Sequence, residues 1–165
     1  MLTDVLIEHR WMSPTALGVL IVLGPLVGAW LAPRRTMSWI LVGASLVPVA
    51  LLTLVPVDRE LFADCTVQWY LPTPGRVELM ANVVLFVGPA LLAGVATGRP
   101  GLVLVCLSGL SAALEALQAL VTGLGRSCDT TDWSSNTIGA ATGAGVAVAA
   151  LWLCRATTHR RAAGE

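Results

Sequence analysis

Residues 102–154 read LVLVCLSGLSAALEALQALVTGLGRSCDTTDWSSNTIGAATGAGVAVAALWLC. Two long apolar runs, Leu102 to Leu124 and Ser134 to Cys154, flank a short polar stretch that holds Arg126, Asp129 and Asp132. Each run has about the 20 residues that carry a helix through ~30 Å of hydrocarbon, where every backbone polar group must bond within its own segment. A connection that short makes the two helices antiparallel neighbours. The stretch therefore predicts a transmembrane hairpin.

Upstream the same pattern recurs. Thr15 to Ala32, Met37 to Val57 and Leu79 to Thr97 are apolar runs bounded by charges and prolines. The 165 residues are 56% hydrophobic and only 12% charged, with a mean hydropathy of +0.78, whereas an ordinary soluble domain has about a quarter of its residues charged. The expected fold is all-α, a polytopic membrane bundle of about five transmembrane helices forming a single domain over residues 1–165. The first run does not look like a signal peptide, since acids precede it and Trp30 and Pro33 spoil a small-residue cleavage site at Ala32. Ser13 and Pro14 suit its N-cap and first helical position. The Asp58 to Glu78 connection is too short for a core of its own, but with Trp69, Tyr70, Pro72 and Pro74 it suits a lid or an interfacial segment.

All ten basic residues are arginine. Arg34, Arg35, Arg99, Arg155, Arg160 and Arg161 fall on one side of the predicted membrane, and Arg10, Arg59, Arg76 and Arg126 on the other. The positive-inside rule then puts the N-terminus outside and the C-terminus in the cytoplasm. Cys65 and Cys128 share the outer side, where an oxidising compartment permits a bridge between the two outer loops. Cys106 and Cys154 lie within spans, where burial as small apolar side chains is the default reading. Nothing in the Cys and His spacing suggests a metal site or a cofactor, and a net charge of zero without a basic cluster argues against nucleic acid.

The polar residues of the hairpin are not scattered. Ser108, Ser111, Glu115, Gln118 and Thr122 recur at spacings of three and four, which places them on one face of the fourth span. Asp132, Asn136, Gly139 and Gly143 make a matching stripe on the fifth. With a fourth span ending near Leu124, Glu115 sits roughly 12 Å below its end. A charge near the bilayer centre costs on the order of 3 kcal/mol, so Glu115 is expected to face the protein interior with a partner, Gln118 or Arg126. Asn82 reaches the same seam from the third span. The alternative for Asp129 is an N-cap of the fifth span, and for Gln118 and Asn136 plain interhelical hydrogen bonds. Gly24 and Gly28, Gly94 and Gly98, and Gly139 and Gly143 have the small-xxx-small spacing of close helix packing, within one bundle or between copies.

These residues resemble the signature of the VanZ-like family of bacterial membrane proteins: Glu-x-x-Gln, then Arg-x-x-Asp-x-x-Asp, then Asn-x-x-Gly-x-x-x-Gly. Here these are Glu115, Gln118, Arg126, Asp129, Asp132, Asn136, Gly139 and Gly143. Asn82, Phe86 and Pro89 are similar to an earlier family element, although Gly88 precedes Pro89 where the family has the glycine after it. The resemblance implies a cell-envelope protein related to an accessory factor in resistance to the glycopeptide teicoplanin. It implies no reaction.

Three readings of the seam remain open. The first is an outward-facing pocket formed by Asn82, Glu115, Gln118, Arg126, Asp129, Asp132 and Asn136 that recognises a lipid-linked or wall-related headgroup, or the antibiotic itself, with Arg126 suited to a phosphate or carboxylate. The second is an intramembrane enzyme acting on an envelope lipid, with Glu115 as catalytic acid or base. The third is a proton-coupled transporter with Glu115 as carrier. The sequence names neither the ligand nor the oligomeric state; the partner it does imply is the lipid bilayer.

Overall fold

The computed structural model describes residues 8–56, 65–125 and 128–162. Five long helices occupy most of them: α1 Met12–Leu31, α2 Arg35–Leu54, α3 Val77–Thr97, α4 Pro100–Leu120 and α5 Thr130–Ala162. A 3₁₀ turn, Thr122–Leu124, follows α4. Each of the five is long and apolar enough to cross a bilayer. The protein is a multi-pass membrane protein with an all-α bundle.

The corners between helices explain where the helices stop. α3 ends at Gly98, whose positive φ of 67° is costly for residues with a Cβ, and its N–H closes the last turn on the Gly94 carbonyl at 3.0 Å. Two residues later Pro100 opens α4, where a missing N–H costs nothing. At the α1–α2 corner the buried Ser38 hydroxyl donates to the Leu31 and Arg34 carbonyls at 3.1 and 3.2 Å, while the Arg34 guanidinium bonds the Trp30 carbonyl and stacks over the Trp30 ring.

α3 and α5 run parallel through the centre, and α1, α2 and α4 pack around them. In a membrane, where lipid is as apolar as leucine, close van der Waals fit holds such helices together. The fit is tightest where α5 carries Gly139 and Gly143. A Cβ on Gly139 would land on the Val83 carbonyl, and one on Gly143 would meet the Val87 carbonyl and lie 2.7 Å from the Ala90 methyl. Gly24 and Gly28 of α1 likewise receive Val146 and Ala150 of α5, and Gly94 faces Ala147. The spaced glycines thus pack helices within one bundle, with Gly98 serving as a cap instead. Two apolar clusters result: Leu31, Leu91, Val95, Val146, Ala147 and Ala150 between α1, α3 and α5, and Val49, Phe86, Ala90, Val103, Leu107 and Ala140 among α2 to α5. Outward-facing residues such as Val22, Ile40 and Val105 are apolar and exposed, as lipid contact requires.

Several local expectations are corrected. Ser13 does not cap α1: the helix already begins at Met12, Trp11 holds the cap position in helical conformation, and Ser13 is buried in the first turn. α4 stops at Leu120 and not Leu124, because glycines at 123 and 125 leave only a 3₁₀ turn, with Gly125 at φ 62°. α5 starts at Thr130, ahead of Ser134, and runs 33 residues, about 50 Å. Cys106 is exposed on the lateral surface instead of buried.

Candidate functional site

The start of α5 gathers the polar residues. The Asp129 carboxylate accepts the Thr131 N–H at 2.7 Å through Oδ1, which is an N-cap bond to one of the helix's orphan donors. Its Oδ2 accepts the Gln68 side-chain amide at 2.6 Å. The Asp129 N–H in turn donates to Glu115 Oε2 of α4 at 2.9 Å. Glu115 therefore holds the residue that caps the next helix.

A second chain segment closes over this cap. Thr66 forms a single parallel bridge with Asp129, its N–H donating to the Cys128 carbonyl at 2.9 Å while its carbonyl accepts the Thr130 N–H at 3.2 Å. The Gln68 carbonyl accepts the Thr130 and Thr131 hydroxyls at 2.7 and 2.9 Å, and the Gln68 N–H donates to Thr130 Oγ1 at 2.9 Å. The Cys65–Cys128 disulfide ties the two strands of chain together, with Cα atoms 4.7 Å apart.

Below the cap, polar pairs run down the helix interfaces. Asn82 of α3 donates through Nδ2 to Asp132 Oδ1 at 2.8 Å. One turn deeper the buried Asn136 donates to Ser111 Oγ of α4 at 2.9 Å, and Ser108 and Thr137 hydroxyls meet at 2.9 Å. Trp133 is half-buried, its indole N–H donates to the Ser108 carbonyl at 3.2 Å, and its ring meets Trp69 edge-on. Asn136 Oδ1 and Ser135 Oγ are buried without a hydrogen-bond partner among the described residues, which leaves bonding capacity beneath the carboxylates.

A family model described as VanZ/LLP1 matches residues 16–153. The chain belongs to the VanZ/LLP1 family. No curated protein and no solved structure matches it.

In this VanZ-like protein Asn82, Glu115, Asp129 and Asp132 meet at one end of α3, α4 and α5, with Asn136 a turn deeper. Gln118 is not part of that group. Its amide donates to the Thr53 carbonyl of α2 at 3.0 Å, satisfying one of the last carbonyls of that helix, so it is not the partner of Glu115. Three residues along a helix is about 60° short of a full turn, enough for Glu115 to reach α5 while Gln118 reaches α2. Glu115 is five residues before the end of α4, so about 7.5 Å below it and not 12 Å. Arg126 lies outside the described residues. Gly139 and Gly143 face the α3 backbone and not the polar group.

Gln68 is the residue that sequence reasoning missed. The signal available was its place three residues after Cys65, on the segment that a Cys65–Cys128 bridge brings beside Asp129. The assembled group is rich in acceptors: Glu115, Asp129 and Asp132 each take bonds from neutral N–H donors, and no described basic side chain pairs with them. Chemically such a group can accept hydrogen bonds from hydroxyl, amide or ammonium groups of a ligand. Among the described residues no His, Cys, Asp and Glu grouping is suited to a metal ion.

Proposed function

We propose that this VanZ-like protein acts in the bacterial cell envelope with its disulfide-bearing end facing outward, where it recognises the polar head of a lipid-linked or wall-related ligand and contributes to resistance against teicoplanin-type glycopeptides. The observation that carries this reading is the hydrogen-bonded group of Asn82, Glu115, Asp129 and Asp132, drawn from three helices and tied to a loop by a disulfide. Capping accounts for Asp129, but three carboxylates without a described basic partner at one end exceed what a cap needs, and ionisable groups at membrane depth are rare outside functional sites. The ligand's hydroxyl and amide donors would meet Glu115 and Asp132, each of which has one carboxylate oxygen without a bond among the described residues. Arg126, two residues from Cys128, would supply a cation for a phosphate or carboxylate on the same ligand. The disulfide supports the outward orientation, since such bridges persist in oxidising compartments.

The test is Glu115→Gln. The amide keeps a carbonyl for the Asp129 N–H while removing the charge, so membrane levels should match wild type. Teicoplanin susceptibility of a strain depending on this protein should rise to that of the deletion strain, and binding of a lipid-linked wall precursor to the purified protein should be lost. Wild-type susceptibility together with wild-type binding overturns the reading.

A further inference from the structure

We propose that Val67 to Arg76 is a membrane-interface anchor that seats the disulfide-bearing end of the bundle in the phospholipid headgroup layer of its own bilayer, with Arg76 placed for an anionic lipid phosphate. The segment divides its side chains in a way a water-facing loop would not. Gln68 turns inward to the α5 cap, while its neighbours Val67 and Trp69 are 75% and 65% exposed, and Tyr70 and Leu71 are 45% and 77% exposed. Leu120, at the end of α4 and therefore at the same end of the bundle, is 82% exposed. Exposed large apolar groups that cluster at one level mark a surface that meets something apolar.

What that surface meets follows from where it lies. The segment runs directly into α3, whose apolar span opens at Val77, so it sits at the depth where hydrocarbon gives way to headgroups. Tryptophan and tyrosine favour that layer because their rings are apolar and their N–H or O–H is polar. The Arg76 guanidinium lies over the Tyr70 ring, 3.9 Å from its centroid. Stacking holds a guanidinium by its face and leaves its in-plane donors free for a phosphate. Valine, tryptophan and leucine would enter the edge of the acyl chains while arginine stays among phosphates. Because Gln68 is bonded to Asp129, this seating also fixes the height of the polar group relative to the bilayer, so a lipid-linked molecule can reach it by diffusing within the leaflet.

The test needs no ligand for the polar group, so its failure is separate from any failure of the proposed function. The full chain is reconstituted in phosphatidylcholine vesicles containing phosphatidylcholine brominated near the headgroup end of the acyl chain, and tryptophan quenching is compared between wild type and Trp69→Phe. Leu71→Trp adds a reporter at an exposed position without deleting a contact. Both positions should be quenched by the brominated lipid and shielded from aqueous iodide. If iodide quenches Trp69 and the tryptophan at position 71 as freely as it quenches tryptophan in solution, the segment stands in water and the anchor does not exist. In vesicles of phosphatidylcholine and phosphatidylglycerol in equal parts, the preference for brominated phosphatidylglycerol should fall about fivefold in Arg76→Gln, the share expected of one arginine at an anionic surface. An unchanged preference removes Arg76 as the phosphate contact.

Discussion

Glu115 and Asp129 act on each other through a backbone. The carboxylate of one accepts the amide of the other at 2.9 Å, and the second carboxylate then caps α5. The two substitutions Glu115→Gln and Glu115→Ala therefore separate structure from function. Glutamine keeps an acceptor, so thermal unfolding in detergent should stay near wild type. Alanine orphans the Asp129 N–H and should cost about 1–3 kcal/mol, read as a lower unfolding midpoint of the purified protein. Equal midpoints for both variants would show that the hydrogen bond contributes nothing measurable. Asp129→Ala removes both the cap and the Gln68 bond and should destabilise by about 1–2 kcal/mol for the cap alone.

The crossing of α3 and α5 depends on missing side chains. At Gly139 the obstacle to a Cβ is the Val83 backbone, which cannot rotate aside, whereas at Gly24 it is chiefly a valine methyl that can. Gly139→Ala should then force the helices apart and cost about 1–3 kcal/mol, the range for overpacked interiors. Gly145→Ala is the matched control on the same helix, since its site has nothing within 4 Å. Its stability should be unchanged or slightly higher, because alanine favours the helix. If the two variants unfold at the same temperature in one detergent, the close approach of α3 and α5 is not what holds them together.

Across the whole molecule, the five spans put Met12 and Thr130 at the disulfide-bearing end and the C-terminus of α5 at the other. A reporter fused after Glu165 should behave as cytoplasmic and one inserted within residues 58–64 as exported. The reverse result would turn the polar group toward the cytoplasm. The Cys65–Cys128 bridge spans a sequence separation of 63, a loop whose closure is worth on the order of 4 kcal/mol in the chain-entropy model. In protein taken from oxidising cells, alkylation without reductant should label Cys106 and Cys154 alone. Reduction should loosen the Gln68 segment, read as faster proteolysis between residues 65 and 76, while the circular dichroism of the helices stays unchanged.

The sequence by itself determined the number of spans, because hydrophobic length is a local property that lipid reads one segment at a time. It also pointed to the cysteine pair, since Cys65 and Cys128 fall in two loops on the same side of the predicted membrane, and it placed Glu115, Asp129, Asp132 and Asn136 near the mouth of one helical hairpin. Only the tertiary structure decided which neighbour each polar residue meets. Helical periodicity sets the angle between Glu115 and Gln118 about their own axis, but the rotation of α4 against α2 and α5 is set by how side chains fit across both interfaces. That rotation sends Gln118 to Thr53 and Glu115 to Asp129. Gln68 was hidden for another reason: its one cue is its place beside Cys65, and its role arises where the disulfide and the Thr66 bridge hold its segment against the cap of α5.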